Sequence, residues 1–213
     1  MTAPPAFDPA FRAQFELLLR WRRDVRHFAD RPIAEEEVAA LLETAMLAPS
    51  VGNAQPWRLV RVRSPARRTA LAEHVDTANA RAARAYGGAA GQAYRALKLH
   101  GLREAPVLLA AFCDPAPQAG HGLGIATMPE MLHYSCVTAI HTLWLVARAK
   151  GIGLGWVSIL EPETVTALLD VPQDWTLIAL LCLGYPAEPA AIPELERRGW
   201  QAREALAERL FDR

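Results

Sequence analysis

The sequence predicts one α+β domain in which helices flank a mixed or antiparallel sheet. A length of 213 residues suits a single domain with a substantial core. The composition, 52% hydrophobic and 22% charged, is typical of a globular protein. Helical and strand-like segments follow one another without an interior linker or repeat. We therefore expect residues 1–213 to form a single domain, with a loose tail at 1–10 and a charged C-terminal arm at 187–213.

Composition narrows the classes of partner. The 23 basic and 23 acidic side chains cancel, which argues against nucleic acid or an anionic membrane. Three widely spaced cysteines predict no disulfide framework and no metal-ligand pattern, and they favour a reducing, cytoplasmic setting. His133 and His141 would lie about 12 Å apart on a helix and cannot share a metal ion. The N-terminus lacks a signal-peptide pattern, and the longest apolar helix carries polar side chains, so we expect no membrane span.

The N-terminal half alternates between helical and strand periodicity. Apolar residues spaced three and four apart predict a first helix, and glutamates favour the N-terminal dipole of a second. Proline cannot continue a helix, yet it fits the first helical position. The expected elements are a helix from Phe11 to about Arg22, a helix between Pro32 and Pro49, a strand at Trp57–Val62 and a helix starting at Ser64–Pro65.

The C-terminal half begins with an Ala- and Arg-rich stretch that glycines interrupt, which predicts a broken helix acting as a cover. A continuous apolar run predicts a strand buried on both faces. A long apolar helix should be covered by the core or by a second subunit, and we expect the six tryptophans to be mostly core. The expected elements are the broken helix at 77–102, strands at 106–113, 154–159 and 175–184, and helices at 129–150 and 163–169.

Two short segments carry the chemistry. Residues 21–28 place three arginines around Asp24, and the planar fork of arginine matches a phosphate. Residues 48–57 form a loop in which Ser50, Asn53 and Gln55 can hydrogen-bond sugar hydroxyls and the edge of a heterocycle. Together the segments predict a site for a phosphorylated, ring-bearing small molecule, with one acid inside it.

Each of these residues also has a simpler interpretation. The arginines are equally compatible with a solvated turn, and Asp24 with a surface ion pair that contributes roughly 0–1 kcal/mol. Ser50 and Asn53 fit the role of loop caps. The spacing of glycines in 151–155 is a weak nucleotide signal on its own, and a serine such as Ser158 commonly ends a strand.

These two segments, together with residues 151–158 and 181–186, resemble the flavin-binding signature of the nitroreductase family. The likeness covers roughly residues 12–203. It implies the nitroreductase-like fold, built as an intertwined homodimer with FMN at the subunit interface. Within the family, the chain is most similar to the branch that makes 5,6-dimethylbenzimidazole, the lower ligand of vitamin B12. Most relatives carry serine where this branch, like this chain, has aspartate (Asp24).

The resemblance implies a role for each matching residue. Asp24 would be a general base or proton shuttle acting on the ribityl chain, and Ser158 would hydrogen-bond the reactive flavin ring. Arg197, Arg198 and Arg203 would either reach the phosphate or form a solvated tail. The residues implied in FMN binding are Arg22, Arg23, Asp24, Val25, Arg26, Pro49, Ser50, Asn53, Leu99, Gly155, Trp156 and Ser158.

The implied activity is the dioxygen-dependent fragmentation of reduced FMN to 5,6-dimethylbenzimidazole and erythrose 4-phosphate, without a metal. A separate flavin reductase would supply reduced FMN as the substrate. The first alternative is an FMN-dependent NAD(P)H nitroreductase, against which Asp24 argues. The second alternative is a non-catalytic flavin carrier or sensor, against which the pairing of Asp24 with Ser158 argues.

Overall fold

The computed structural model describes residues 4–213, which form four strands and seven α-helices. The strands are β1 (Trp57–Arg61), β2 (Val107–Cys113), β3 (Gly153–Val157) and β4 (Thr176–Gly184). The helices are α1 (Pro9–Trp21), α2 (Glu35–Ala45), α3 (Pro65–Ala82), α4 (Gly88–Arg95), α5 (Met131–Ala149), α6 (Pro162–Leu169) and α7 (Glu194–Arg197). The strands make one sheet in the order β1-β2-β4-β3, and every neighbouring pair is antiparallel.

The central strand β2 is buried on both faces, as its continuous apolar run predicts. Successive side chains of a strand point to opposite faces. Leu108, Ala110 and Phe112 pack with α3 and α6. Their neighbours on the other face, including Leu109, pack with α2 and α5. The core is therefore divided by the sheet into two layers, with helices on each side.

The predicted elements all occur, with shifted ends. Helix α1 begins at Pro9, inside the expected loose tail, because the Asp8 side chain accepts a hydrogen bond from the N–H of Phe11 and caps the helix. Strand β3 ends at Val157, so Ser158 lies beyond the strand. Residues 1–3 of the expected tail lie outside the described residues. The expectation of one domain with a C-terminal arm stays a prediction.

Two expectations about burial change in the structure. Among the six tryptophans only Trp57 is buried, and the other five are half-buried. Helix α1 buries none of its residues, and Phe11 and Phe15 are exposed. Across the described part of the chain, no helix combines the length and the apolar character needed to cross a membrane.

Candidate functional site

The segment that follows α1 runs alongside β3. Asp24 forms a parallel bridge with Leu154, and the N–H of Val25 donates to the Leu154 carbonyl at 3.0 Å. A Cβ at position 155 would overlap the Val25 carbonyl oxygen, and one at Gly153 would lie 2.6 Å from Cγ2 of Val25. Only glycine lets the two backbones approach so closely. The glycine spacing that gave a weak signal in the sequence thus has a packing reason.

Asp24 is held on both of its carboxylate oxygens. Oδ1 accepts the backbone N–H of Trp156 at 2.8 Å, and Oδ2 accepts Nε and Nη2 of Arg26 at 3.0 and 2.7 Å. The two side chains are 27% and 12% exposed, so this is not a fully solvated pair. Burial raises the pKa of Asp24, against the opposing charge of Arg26 and the hydrogen bond from Trp156. The structure therefore provides a fixed carboxylate that takes up a proton more readily than an ordinary aspartate.

The arginines are anchored against α5 and the C-terminal arm. The guanidinium of Arg22 lies 4.5 Å from the Trp144 ring centroid, and Nε1 of Trp144 donates to the Arg23 carbonyl at 2.9 Å. The Arg23 guanidinium donates to the carbonyl of Ala191. Burial lowers the pKa of both Arg22 and Arg23, and the nearby charge of Arg203 lowers it further. These arginines are thus crowded together beside the protein core.

One cavity brings these charged groups together. It is lined by Arg22, Arg23, Asp24, Arg26, Pro193, Glu194, Leu195 and Arg203. Four guanidinium groups face two carboxylates, which leaves an excess of positive charge suited to a phosphate. Arg197 lines a second cavity, which shares Arg23, Asp24, Arg26 and Glu194 with the first, and Arg198 lies 3.8 Å from Glu194. Of the arm arginines weighed from the sequence, the structure thus places Arg203 and Arg197 in cavities that residues 23–26 also line, and Arg203 alone shares its cavity with Arg22.

Leu99 and Ser158 lie close in sequence to Lys98 and Trp156, which hydrogen-bond to residues 24–26. Nη1 of Arg26 donates to the carbonyl of Lys98 at 3.2 Å, which puts half-buried Leu99 beside the cluster. Ser158 is exposed, two residues after Trp156 and so about 7 Å further along the chain. Its hydroxyl makes no hydrogen bond with residues 4–213, so it is available to a ligand.

The loop of residues 49–55 lies elsewhere. Its backbone is tied to the first half of α5, where Thr138 donates to the Pro49 carbonyl at 2.9 Å and the Val51 N–H donates to Ser135. The Ser50 hydroxyl accepts the N–H of Gln55 at 3.0 Å, which is the loop-capping role. Arg23, in contrast, contacts the second half of α5. Within residues 4–213 no hydrogen bond or ion pair joins this loop to residues 22–26.

The structure also adds residues that sequence reasoning did not single out. Trp144 supports the backbone of Arg23, and Glu194 brings a second carboxylate, 12% exposed, into the cavity. Trp144 lies inside a long apolar helix, where a tryptophan carries no distinguishing signal. Glu194 lies in a charged arm whose position depends on contacts distant in sequence.

A helix-flanked antiparallel sheet with a basic cavity beside an edge strand defines an α+β protein with a positively charged cavity. The sequence profile of the nitroreductase family matches residues 19–185. The chain therefore belongs to the nitroreductase family.

Curated relatives match nearly the whole chain. A protein of Rhodospirillum rubrum named 5,6-dimethylbenzimidazole synthase is 58% identical, and the match covers 95% of this chain and 96% of the relative. A protein of Rhodobacter capsulatus with the same name is 49% identical over 92% of this chain and 94% of the relative. Among solved structures, a putative nitroreductase of Exiguobacterium sibiricum in complex with FMN is 19% identical with a TM-score of 0.68, and the match covers 100% of each chain. This last likeness confirms the nitroreductase-like fold.

Proposed function

We propose that this protein is a 5,6-dimethylbenzimidazole synthase, which uses dioxygen to fragment reduced FMN to 5,6-dimethylbenzimidazole and erythrose 4-phosphate. The observation that carries the proposal is the carboxylate of Asp24, fixed by Trp156 and Arg26 inside an arginine-lined cavity. An acid in a phosphate site is unfavourable unless it has a chemical task. The identity of 58% to a relative of that name supports the same activity.

The residues of the cavity fit FMN. Four guanidinium groups against two carboxylates would hold a phosphate, whose added negative charge relieves the repulsion among Arg22, Arg23 and Arg203. The Ser158 hydroxyl makes no hydrogen bond with residues 4–213, and it would form a hydrogen bond with the flavin ring. Reduced FMN, as the substrate, supplies the ring and the ribityl carbon that become the product.

Asp24 would act as the general base on the ribityl chain. A general base must be ionised before the reaction and must take up a proton during it. The N–H of Trp156 fixes Oδ1 in place, and burial raises the pKa of the carboxyl group, which makes it a stronger base. Arg26 keeps the carboxylate ionised until then, because its positive charge opposes protonation.

A second subunit would complete the site. Residues 49–55 and residues 22–26 contact different halves of α5, and Ser135 and Trp144 are nine residues apart, about 13 Å along the helix. The described chain also leaves Phe11, Phe15, Tyr134 and Val137 exposed on α1 and α5. An intertwined homodimer would bury these side chains and bring Pro49, Ser50 and Asn53 of one chain to the FMN of the other. A separate flavin reductase would supply reduced FMN, in the reducing cytoplasm that three buried free cysteines suit.

The deciding experiment is an aerobic incubation of the protein with FMN, NADH and an unrelated flavin reductase, followed by mass spectrometry for 5,6-dimethylbenzimidazole. We expect product only when both proteins are present, and none with Asp24→Asn. Omitting the reductase gives the control for the alternative activity. Intact FMN, together with NADH oxidation by the protein alone in the presence of a nitroaromatic, would replace the proposal with the nitroreductase function.

A further inference from the structure

The C-terminal arm is fastened at two points. Near its start the Arg23 guanidinium binds the Ala191 carbonyl. Further on, the ring of Trp200 makes edge contacts with Tyr86 and Tyr94, at centroid distances of 5.4 and 6.0 Å. The two tyrosines stack on each other at 4.7 Å. Aromatic pairs of this geometry stabilise beyond their area burial, so Trp200 anchors the arm just before residues 201–213, which are all exposed.

The turn before Trp200 directs the chain toward the cavity. Helix α7 has four residues and is followed by Gly199, whose φ of 71° lies in the left-handed region. The Trp200 N–H then bonds back to the Leu195 carbonyl at 2.8 Å. Arg203 follows three residues later and lines the cavity with Arg22 and Arg23. The position of Arg203 therefore depends on where Trp200 is held.

The tyrosines belong to the segment that we expected to act as a cover. Tyr94 lies on α4 and is buried, and its hydroxyl donates to Oδ1 of Asn79 on α3 at 2.8 Å. The same segment leads to Lys98, whose carbonyl accepts from Arg26. The three rings thus join the arm to a second piece of chain, which contacts the cavity residue Arg26 through the Lys98 carbonyl.

Electrostatics explains why Arg203 needs such an anchor. Its guanidinium lies near Arg22 and Arg23, and like charges repel. An exposed arm would move away from this repulsion unless other contacts opposed it. The contacts of Trp200 with Tyr86 and Tyr94 oppose this movement of the arm.

We propose that Trp200 is a positioning residue, which through Tyr86 and Tyr94 holds Arg203 against the phosphate of bound FMN and makes the site selective for phosphorylated flavin. This inference rests on the proposed function, because it assumes that the cavity takes the FMN phosphate. Riboflavin, which lacks the phosphate, should gain nothing from Trp200.

A double-mutant cycle tests the inference. Dissociation constants for FMN and riboflavin would be measured for wild type, Trp200→Ala, Arg203→Ala and the double variant. We expect each single change to weaken FMN binding about tenfold and to leave the riboflavin affinity within about twofold of wild type. In the double variant, the loss of FMN binding energy should be smaller than the sum of the two single losses. Trp200→Phe should restore most of the FMN affinity, and Leu206→Ala, at an exposed position further along the arm, should match wild type.

Two results would overturn the positioning role. One is a loss of affinity that is equal for FMN and riboflavin, and the other is an additive double variant. Limited trypsin cleavage without flavin adds an independent measurement, in which Trp200→Ala should speed cleavage after Arg203 and an unchanged rate would contradict the anchor. Failure of the wild type to bind FMN would instead reject the proposed function, whatever the cleavage rates.

Discussion

The backbone N–H of Trp156 donates a 2.8 Å hydrogen bond to Oδ1 of Asp24, 132 residues earlier in the chain. This bond ties the segment after α1 to the end of β3. The carboxylate is therefore oriented by the sheet and not only by its sequence neighbour Arg26. Such a fixed position is what a general base requires.

Asp24→Asn should retain FMN and lose product. The amide oxygen can still accept the N–H of Trp156, and removing a negative charge from the cavity does not weaken its attraction for phosphate. We expect product formation to fall at least about a hundredfold, the usual scale for loss of a general base. Flavin titration and mass spectrometry of the product measure the two properties separately. A variant that forms product at the wild-type rate would refute the role of Asp24.

Protonation of Asp24 should make the folded state relatively more stable. Burial raises the pKa of Asp24 in the folded state, so the ionised carboxylate costs folding free energy at neutral pH. That cost disappears as the pH falls through the folded pKa, and it is absent below the ordinary aspartate value of about 3.9. The free energy of unfolding of wild type minus that of Asp24→Asn should therefore rise on acidification. Urea denaturation of both proteins at a series of pH values measures this difference in unfolding free energy. A difference that falls on acidification would contradict the raised pKa of Asp24.

Gly155→Ala should destabilise the fold and disturb the site. The new Cβ would overlap the carbonyl oxygen of Val25, and overpacking of this kind costs about 1–3 kcal/mol. Gly87→Ala is the matched control, because its Cβ would meet nothing within 4 Å and its φ is −102°. Gly87 is the N-cap of α4, where alanine is the weaker residue, so we expect the control to lose about 0.5–1 kcal/mol in urea denaturation, less than Gly155→Ala. Equal stability of the two variants would show that Val25 can move away.

Ser158→Ala should reduce product formation while FMN stays bound. The hydroxyl makes no hydrogen bond with the described chain, so its loss leaves no buried group unpaired and should cost little stability. We expect unfolding within about 0.5 kcal/mol of wild type. Single-turnover product formation should slow by about tenfold, the effect of one ring hydrogen bond of about 1.4 kcal/mol. An unchanged rate of product formation would show that Ser158 takes no part in the reaction.

Mixed dimers should recover activity that neither parent has. One parent carries Asp24→Asn, and the other carries Ser50→Ala with Asn53→Ala. Random pairing makes about half of the dimers mixed, and each mixed dimer has one intact site if the loop serves the partner's cavity. Co-expression should thus give about one quarter of the wild-type activity. If each site used its own chain's loop, no activity would return.

The sequence predicted the elements of the fold well, because helix caps and apolar periodicity are local. The continuous apolar run of β2 marks a strand buried on both faces, whereas the start of α1 at Pro9, capped by Asp8, was missed because residues 1–10 were expected to be a tail. The sequence did not reveal why Gly155 is needed, since the reason is the carbonyl of Val25 on a distant segment. Nor did it identify Trp144 or Trp200 as supports of the arginines, because in sequence they look like ordinary apolar residues.

The sequence by itself determined the chemical inventory: arginines around an acid, a polar loop and a serine after a strand, in an order that marks the family. The types of side chain and their spacing are known directly from the amino-acid sequence. Only the tertiary structure decided which of these groups meet. It joined Asp24 to Trp156, brought Arg203 to the arginine cluster and kept residues 49–55 apart from it. Such contacts depend on the strand register and on the positions at which α5 and the arm pack. Register and packing are determined by the burial of many residues that are distant in sequence.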